Sequence, residues 1–238
     1  MLKCHLLIIL FFLTTAISFA QFQDYVADHE QLTYSVYDGT RTIHTTENII
    51  LITTNDVQMH QISLVASDGG TAKVLLYKGT LAPYLLSYYD EWAELSKQVR
   101  YTHDKIQVFI RNKRISYEVE QNRKDYWEMN SFFHVFRGYP FEKKEILFWG
   151  FLPEIKRSFL LFLKPIAEET LSFNGEDVLC VKLELGAAGF IESILFPQVF
   201  NFWIEKAPPH RFCRFYTRDF TGKEQITILT SYKVFAEN

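Results

Sequence analysis

The chain has 238 residues, a formal net charge of −3 and 48% hydrophobic residues. Its mild acidity argues against a general nucleic-acid binder, because such domains are usually strongly basic. Aromatic residues make up 16% of the chain, with 22 Phe, and a chain of this length can bury a sizeable core in one domain.

Residues 1–20, MLKCHLLIILFFLTTAISFA, have the pattern of a secretory signal. Lys3 supplies a positive charge, an apolar run extends from Leu6 to Leu13, and small or polar residues lead up to Ala20. The apolar run is short for a membrane span, which needs about 20 apolar residues; a signal anchor is the alternative. We predict cleavage after Ala20, a single mature domain of residues 21–238, a periplasmic or secreted location, and no lipid anchor, since no cysteine follows the cleavage site.

Most of the mature chain alternates between apolar and polar residues, which is typical of antiparallel strands with one buried face. Leu32, Tyr34 and Val36 alternate in this way near the start. Later segments repeat the pattern, and turn sequences such as Asp38-Gly39 separate them. The chain is therefore predicted to be mainly β, with about eleven strands in a curved antiparallel sheet that forms an open or half barrel.

One segment departs from this alternation and predicts an amphipathic helix over residues 126–137. Asp125 with Glu128 resembles a capping box at its start, and Gly138 followed by Pro140 is expected to end it. Apolar residues recur at spacings of three and four, opposite a polar set. The apolar set is Tyr126, Met129, Phe132, Phe133 and Phe136, and the polar set is Asn130, His134 and Arg137. Because so short a helix is marginal alone in water, we expect it to cover the concave face of the sheet.

Three later segments are apolar at successive positions instead of alternate ones. They are ILFWGFL (146–152), FLLFL (159–163) and ILFPQVFNFW (194–203). Strands that are apolar on both faces need cover on both faces, which indicates either a thick core or an apolar groove. Gly150 lies in the first segment, where its missing side chain would leave room for a ligand.

A groove beneath the helix would take its walls from the aromatic residues of the helix and of these segments. The candidate ligand-binding residues are Met129, Phe132, Phe133, Phe136, Trp149, Phe151, Phe196, Phe202 and Trp203. Arg137 is the candidate for the rim, where it would pair with a carboxylate or face a ligand headgroup. The alternative is that the aromatic residues are ordinary core, as the apolar stripe of a helix usually is.

Nothing in the sequence predicts catalysis. Nucleophile-elbow, zinc-protease, phosphate-loop, dinucleotide-binding and C-x-x-C patterns are missing from it, and its seven His are scattered. We therefore predict no catalytic residue, no metal site and no cofactor. Basic residues cluster around one hairpin between Lys97 and Lys124, which indicates either a charged edge that resists strand pairing or contact with anionic headgroups.

Cys180 and Cys213 are the cysteines of the predicted mature chain, so their number permits one disulfide between them. Cys180 shares its predicted strand face with Lys182 and Glu184, which places it on the wetter side. A further strand is expected between the two cysteines. This spacing disfavours a bond, since the two Cα atoms must approach within about 7 Å.

Four segments, taken in order, resemble an uncharacterised family of bacterial periplasmic β-rich proteins. They are FFHVFRGYP, FNGEDVLCVKLEL, FNFWIEKAPPHRFCRFYT and GKEQITILTSYKV. The fold of that family is similar to the lipoprotein-carrier half barrel, the LolA/LolB-like fold. The resemblance implies a curved antiparallel sheet with a helix over its concave face, a periplasmic location and no catalytic residues. By analogy with the carrier, the concave face would hold acyl chains.

These features together predict an exported cell-envelope protein that is not an enzyme. The predicted partners are a lipid or other hydrophobic ligand, or an envelope protein, with peripheral membrane contact as a further option and no nucleic acid. The alternatives are a structural or scaffolding envelope protein with a filled core and, third, a hydrolase with an unrecognised site. A large empty groove beneath the helix would favour ligand binding, and a solid core would favour the scaffold.

Overall fold

The computed structural model describes residues 22–90, 95–102, 104–111, 114–120, 126–128, 131–153, 156–173, 175–189, 200–218 and 222–235. The predicted signal segment lies outside these ranges, so cleavage after Ala20 and the domain boundary at residue 21 stay predictions. Within these ranges, no helix is long and apolar enough to cross a bilayer.

The described ranges contain fifteen strands, one short α-helix and one 3₁₀ turn. The helix α1 is Phe132–Val135, and the 3₁₀ turn Phe136–Gly138 continues it. The strands are β1 His29–Tyr37, β2 Thr42–Thr54, β3 Val57–Ala66, β4 Thr71–Tyr77, β5 Pro83–Asp90, β6 Leu95–Tyr101, β7 Lys105–Ile110, β8 Ile115–Glu120, β9 Tyr126–Glu128, β10 Ile146–Leu152, β11 Arg157–Phe173, β12 Glu176–Ala187, β13 Phe200–Glu205, β14 Phe212–Arg218 and β15 Glu224–Val234.

All the described strands belong to one sheet, in the order β8-β7-β6-β5-β4-β3-β2-β1-β15-β14-β13-β12-β11-β10-β9. Neighbouring strands are antiparallel, apart from β9 and β10, which run parallel. The sheet is open, with β8 and β9 as its edges, although β9 also contacts β5. The predicted mainly β class with an open antiparallel sheet is confirmed. The predicted number of about eleven strands is too low, because strands such as β4 bury successive residues and do not alternate.

The predicted helix over residues 126–137 is wrong in its first part. Tyr126–Glu128 is strand β9, which pairs with Trp149–Phe151 of β10. Aromatic residues favour strands as well as buried helix faces, and Trp127 is buried in the main core, so spacing alone did not distinguish the two. Asp125, Met129 and Asn130 lie outside the described residues.

Gly138 ends the helical segment for a different reason from the predicted cap. A glycine that caps a helix usually adopts a positive φ, and Gly138 does not. A Cβ atom at Gly138 would lie only 2.0 Å from the backbone oxygen of Gln23. The glycine is therefore required because the segment before β1 passes against the backbone of the 3₁₀ turn.

The main core lies between the inner face of the sheet and α1. The segment before β1 completes it, because Phe22 is 1% exposed and packs edge-on against Trp127 with ring centres 5.2 Å apart. Phe22 also contacts Phe136 and Phe148, both at 5.8 Å. The N-terminal segment thus packs against the helical segment and against β9 and β10, at one edge of the sheet.

Candidate ligand-binding site

One side of α1 is solid core. Phe132 and Phe136 stack with ring centres 4.7 Å apart, and both are buried. Phe148 packs edge-on against both, with ring centres 5.6 and 5.8 Å apart. Phe202 packs edge-on against Phe136, with ring centres 4.9 Å apart. These close ring contacts are typical of an ordinary protein interior.

Gly150 does not provide the room that the sequence suggests. A Cβ atom at this position would lie 2.6 Å from Cδ1 of Leu161 and 3.6 Å from Cζ of Phe132. The neighbouring strand β11 and the helix therefore already fill the space beside the glycine. The expectation of a ligand pocket at Gly150 is wrong, because the missing side chain serves close packing.

The other side of α1 faces a cavity of about 270 Å³. Its wall is built from two cross-strand rows of residues on β2–β5. One row runs through Ile62, Val74 and Leu86 and is buried; the other runs through Glu47, Leu64, Ala72 and Tyr88, of which the last three are half-buried. The remaining lining residues are Phe133, His134 and Gln225.

The cavity opens towards solvent along the second row. Gln225 of β15 is exposed, whereas the first row is buried. Phe133 forms the helical wall, where its ring stacks on Phe212 with centres 4.3 Å apart and an interplanar angle of 13°. The cavity is thus a recess between the helix and strands β2–β5, with an apolar floor and a half-exposed mouth.

A buried acid–imidazole pair forms one wall of the recess. Nε2 of His134 lies 3.3 Å from Oε2 of Glu47, and the two side chains are 3% and 5% exposed. Nδ1 of His134 has no hydrogen-bond partner within the described part of the chain. The helical spacing predicts that His134 lies opposite the apolar residues; in the structure it is buried against the sheet, in contact with Glu47 on the inner face of β2.

Arg137 is also buried against the sheet. The sequence left two roles for it, a pair with a carboxylate or contact with a ligand headgroup, and the structure shows the pair with a carboxylate. Its Nη1 donates to Oε1 of Glu30, and its Nη2 lies 3.2 Å from Oε2; both side chains are 0% exposed. Nη2 also donates to the backbone oxygens of Tyr25 at 3.0 Å and Pro209 at 3.2 Å, while the hydroxyl of Tyr232 donates to Glu30 at 3.0 Å. Arg137 therefore joins the helical segment, the N-terminal segment, β1 and the turn after β13.

The electrostatic environment of this region is dominated by burial. Burial raises the pKa of Tyr34 well above its usual value, and the charge of nearby Glu47 raises it further, against a smaller lowering by Arg137. For Arg137 burial favours the neutral form, but the charge of Glu30 and the hydrogen bonds to it outweigh this, so the pKa of the guanidinium is raised. The guanidinium of Arg137 is consequently charged throughout the ordinary pH range.

The structure separates the candidate residues taken from the sequence. Phe133 lines the recess, whereas Phe132, Phe136, Phe151 and Phe202 belong to the filled core. Trp203 lies on the outer face of the sheet, where its indole donates to Glu169 at 2.8 Å. Trp149 alternates with Phe148 along β10 and is half-buried. Met129 and Phe196 lie outside the described residues.

Most of the recess comes from strands that sequence analysis did not select. Ile62, Val74 and Leu86 are ordinary apolar residues of strands β3, β4 and β5, so nothing in the sequence marks them as a binding surface. Glu47 does carry a signal, because it shares one strand face with Ile49, which is 1% exposed. A carboxylate on the apolar face of a strand indicates a buried partner.

The outer face carries a second, smaller apolar cluster. It contains Val178, Cys180, Trp203 and Cys213. Cys180 is 0% exposed, so its predicted wetter position is wrong; Trp203 and neighbouring strands cover it. Both cysteines are free, and a hydrogen bond with Cys213, together with burial, raises the pKa of the Cys180 thiol.

The basic hairpin and the potential metal ligands show no assembled site. Lys97 is 8% exposed, and Lys105 pairs with Glu118 at 3.0 Å on the exposed surface. Among the residues described, no group of three or more His, Cys, Asp or Glu side chains could hold a metal ion.

The chain is similar to several solved structures. A beta-barrel-like protein of the domain of unknown function DUF1849 from Brucella abortus is 7% identical, with a TM-score of 0.52 over 87% of this chain and 98% of that one. The hypothetical lipoprotein YmcC from Escherichia coli is 14% identical, with a TM-score of 0.35 over 91% and 92%. A LolA superfamily protein from Nitrosomonas europaea is 11% identical, with a TM-score of 0.33 over 93% and 90%.

No protein-family profile matches the chain, and no curated protein matches it in sequence. The similarity to the Brucella protein, at 7% identity, concerns the fold alone. The resemblance stated from the sequence is confirmed at that level: the chain has the fold of a β-rich, barrel-like protein of unknown function.

Proposed function

We propose that this protein is an exported, non-catalytic cell-envelope protein that binds an apolar or lipid-like ligand in the recess beside α1. The observation that carries the proposal is the cavity of about 270 Å³ with an apolar floor between Phe133 and strands β2–β5. An engineered cavity of roughly 150 Å³ in another protein binds benzene. The recess therefore suits a small ring or one short chain better than several acyl chains.

Chain length is the sharpest test of this proposal. Each buried CH₂ group is worth roughly 0.8 kcal/mol, so each added methylene of a 1-alkanol should tighten binding about four-fold, since about 1.4 kcal/mol is ten-fold. Displacement of a hydrophobic dye by a series of 1-alkanols measures this gain. We expect saturable binding whose gain per methylene stops once the recess is full.

A variant that fills the recess provides the control. Ala72 lies in the half-buried row of the wall, so Ala72→Phe should weaken alkanol binding while the thermal melt stays cooperative. Ala167→Phe places the same ring on an exposed position of β11 and should leave binding unchanged. Equal binding by both variants would place the ligand elsewhere.

The scaffold with a filled core is the competing function, and the solid side of α1 favours it. Phe132 and Phe136 are buried, stack on each other and pack edge-on against Phe148 of the sheet. If the wild-type protein binds neither dye nor alkanol with saturation, the recess is a packing defect and the scaffold is the better description.

Export rests on the pattern of residues 1–20. N-terminal sequencing of protein made in its own cells should begin at Gln21. Retention of Met1 would contradict export while leaving ligand binding open.

A further inference from the structure

The polar wall of the recess carries information about the ligand, provided that the recess binds one as proposed above. Glu47 and His134 line the recess and are 4% and 2% exposed. Nε2 of His134 lies 3.3 Å from Oε2 of Glu47, but Oε2 of Glu47 makes no hydrogen bond within the described residues, and neither does Nδ1 of His134. Buried polar atoms without partners are costly, so a ligand that satisfies them gains affinity.

The charges around this wall are balanced or negative. Glu47 and Glu30 are carboxylates, Arg137 is paired with Glu30 at 0% exposure, and His134 faces Glu47. The four groups therefore sum to zero if His134 is protonated and to −1 if it is neutral. At the Glu47 end of the recess, neither state therefore offers an unpaired positive charge to an anionic ligand; the buried Lys97 continues the same row beyond Tyr88, with its ammonium 5.9 Å from the centre of the Tyr88 ring.

We propose that the recess selects ligands whose buried polar group is uncharged and can donate a hydrogen bond, such as a primary alcohol, over ligands that carry a carboxylate. A hydroxyl both donates and accepts, so it can donate to Glu47 and interact with the imidazole of His134. A carboxylate would bring a second negative charge beside Glu47 in a region shielded from water, where like charges repel strongly.

The test compares 1-octanol with octanoate at neutral pH, by displacement of the same dye. The two probes share a chain, so the apolar contribution largely cancels. We expect octanol to bind at least about ten-fold more tightly, because like-charge contacts cost several kcal/mol. Octanoate binding as tightly as octanol to the wild-type protein would overturn the proposal without any variant.

Glu47→Gln separates the effect of the carboxylate from the greater hydration of octanoate, which disfavours its burial in any apolar cavity. The variant keeps the shape of the wall and removes one negative charge, so the ratio of the two dissociation constants should shrink several-fold. Glu168→Gln removes an exposed carboxylate of β11, which is 51% exposed and pairs with Lys206, and should leave the ratio unchanged.

The outcomes distinguish this inference from the function on which it rests. Saturable alkanol binding with an unchanged ratio in Glu47→Gln would overturn the selectivity and leave the ligand-binding function standing. Absence of any saturable binding by the wild-type protein would overturn both. A reduced ratio in Glu47→Gln, with Glu168→Gln matching the wild type, is the expected result.

Discussion

The two sides of α1 carry the same kind of residue and differ in what lies opposite. Phe132 and Phe136 meet the rings of Phe22, Phe148 and Phe202, which pack closely around them. On the other side, Phe133 stacks on Phe212, and across the recess lie residues that include Leu64, the small Ala72 and Tyr88. The difference shows that an aromatic stripe on a helix does not decide between core and cavity; the size of the residues on the facing strands does.

The largest expected effect concerns the ion pair that holds the filled side in place. Arg137→Ala leaves Glu30 charged and buried, so it should lower the free energy of unfolding by about 3–5 kcal/mol. Urea denaturation followed by tryptophan fluorescence measures the change. Lys206→Ala removes an exposed partner of Glu168 and should cost less than about 1 kcal/mol.

A double substitution checks the cause of that loss. Arg137→Met combined with Glu30→Leu removes both charges and should recover much of the stability, since apolar pairs often replace buried ion pairs at little cost. A double variant as unstable as Arg137→Ala would mean that Arg137 acts through its hydrogen bonds to Tyr25 and Pro209 instead of through Glu30.

Truncating one ring on each side of the helix tests the comparison directly. Phe136→Ala opens a hole in a filled core and should cost about 3–5 kcal/mol. Phe133→Ala should cost about 1–2 kcal/mol less, because Phe133 is half-buried beside a space that already exists. Equal losses in chemical denaturation would mean that the recess side is packed as tightly as the other.

The fold class was predictable from the alternation of apolar and polar residues along the strands. A strand with one buried face and one face in water repeats this pattern every two residues. Ile106 and Val108 of β7 are buried between residues that are half-buried or exposed, and β7 pairs with β8. The parts that could not be predicted depend on contacts far apart in the chain. Arg137 and Glu30 are 107 residues apart, and local spacing holds no information about such a pair.

The same reason explains why the recess was missed while the helix beside it was found. Phe133 was selected because its neighbours in sequence form an apolar stripe. The facing wall is assembled from cross-strand neighbours such as Ile62 and Val74, whose register is set by pairing over the whole sheet. Sequence patterns therefore pointed to the side of the helix that is full and overlooked most of the side that is open.

Gly138→Ala tests the contact that locks the N-terminal segment onto the filled side. The new methyl group would meet the backbone of Gln23, which must shift and weaken the hydrogen bond from its N–H to the oxygen of Gly138, now 3.2 Å long. Overpacking of this kind costs about 1–3 kcal/mol. Gly70→Ala is the matched control, because its nearest neighbour is the flexible side chain of Asp68 at 3.4 Å, and thermal denaturation should show little change.

The smallest expected effect is a pH dependence at the other anchor of the N-terminal segment. Burial alone would raise the pKa of Asp24, but the hydrogen bonds from His60 at 2.8 Å and from the N–H of Gly79 at 2.7 Å outweigh it, so the pKa is lowered below 3.8. A carboxyl with a lowered folded-state pKa stabilises the protein above its unfolded pKa of about 3.9, and this contribution is lost as the pH falls through the folded value.

Asp24→Asn should therefore cost about 1 kcal/mol at neutral pH and progressively less below about pH 4. Unfolding free energies measured by urea denaturation from neutral pH downwards test this. A difference between wild type and variant that stays constant with pH would mean that the Asp24 charge does not hold the segment that fills one side of the helix.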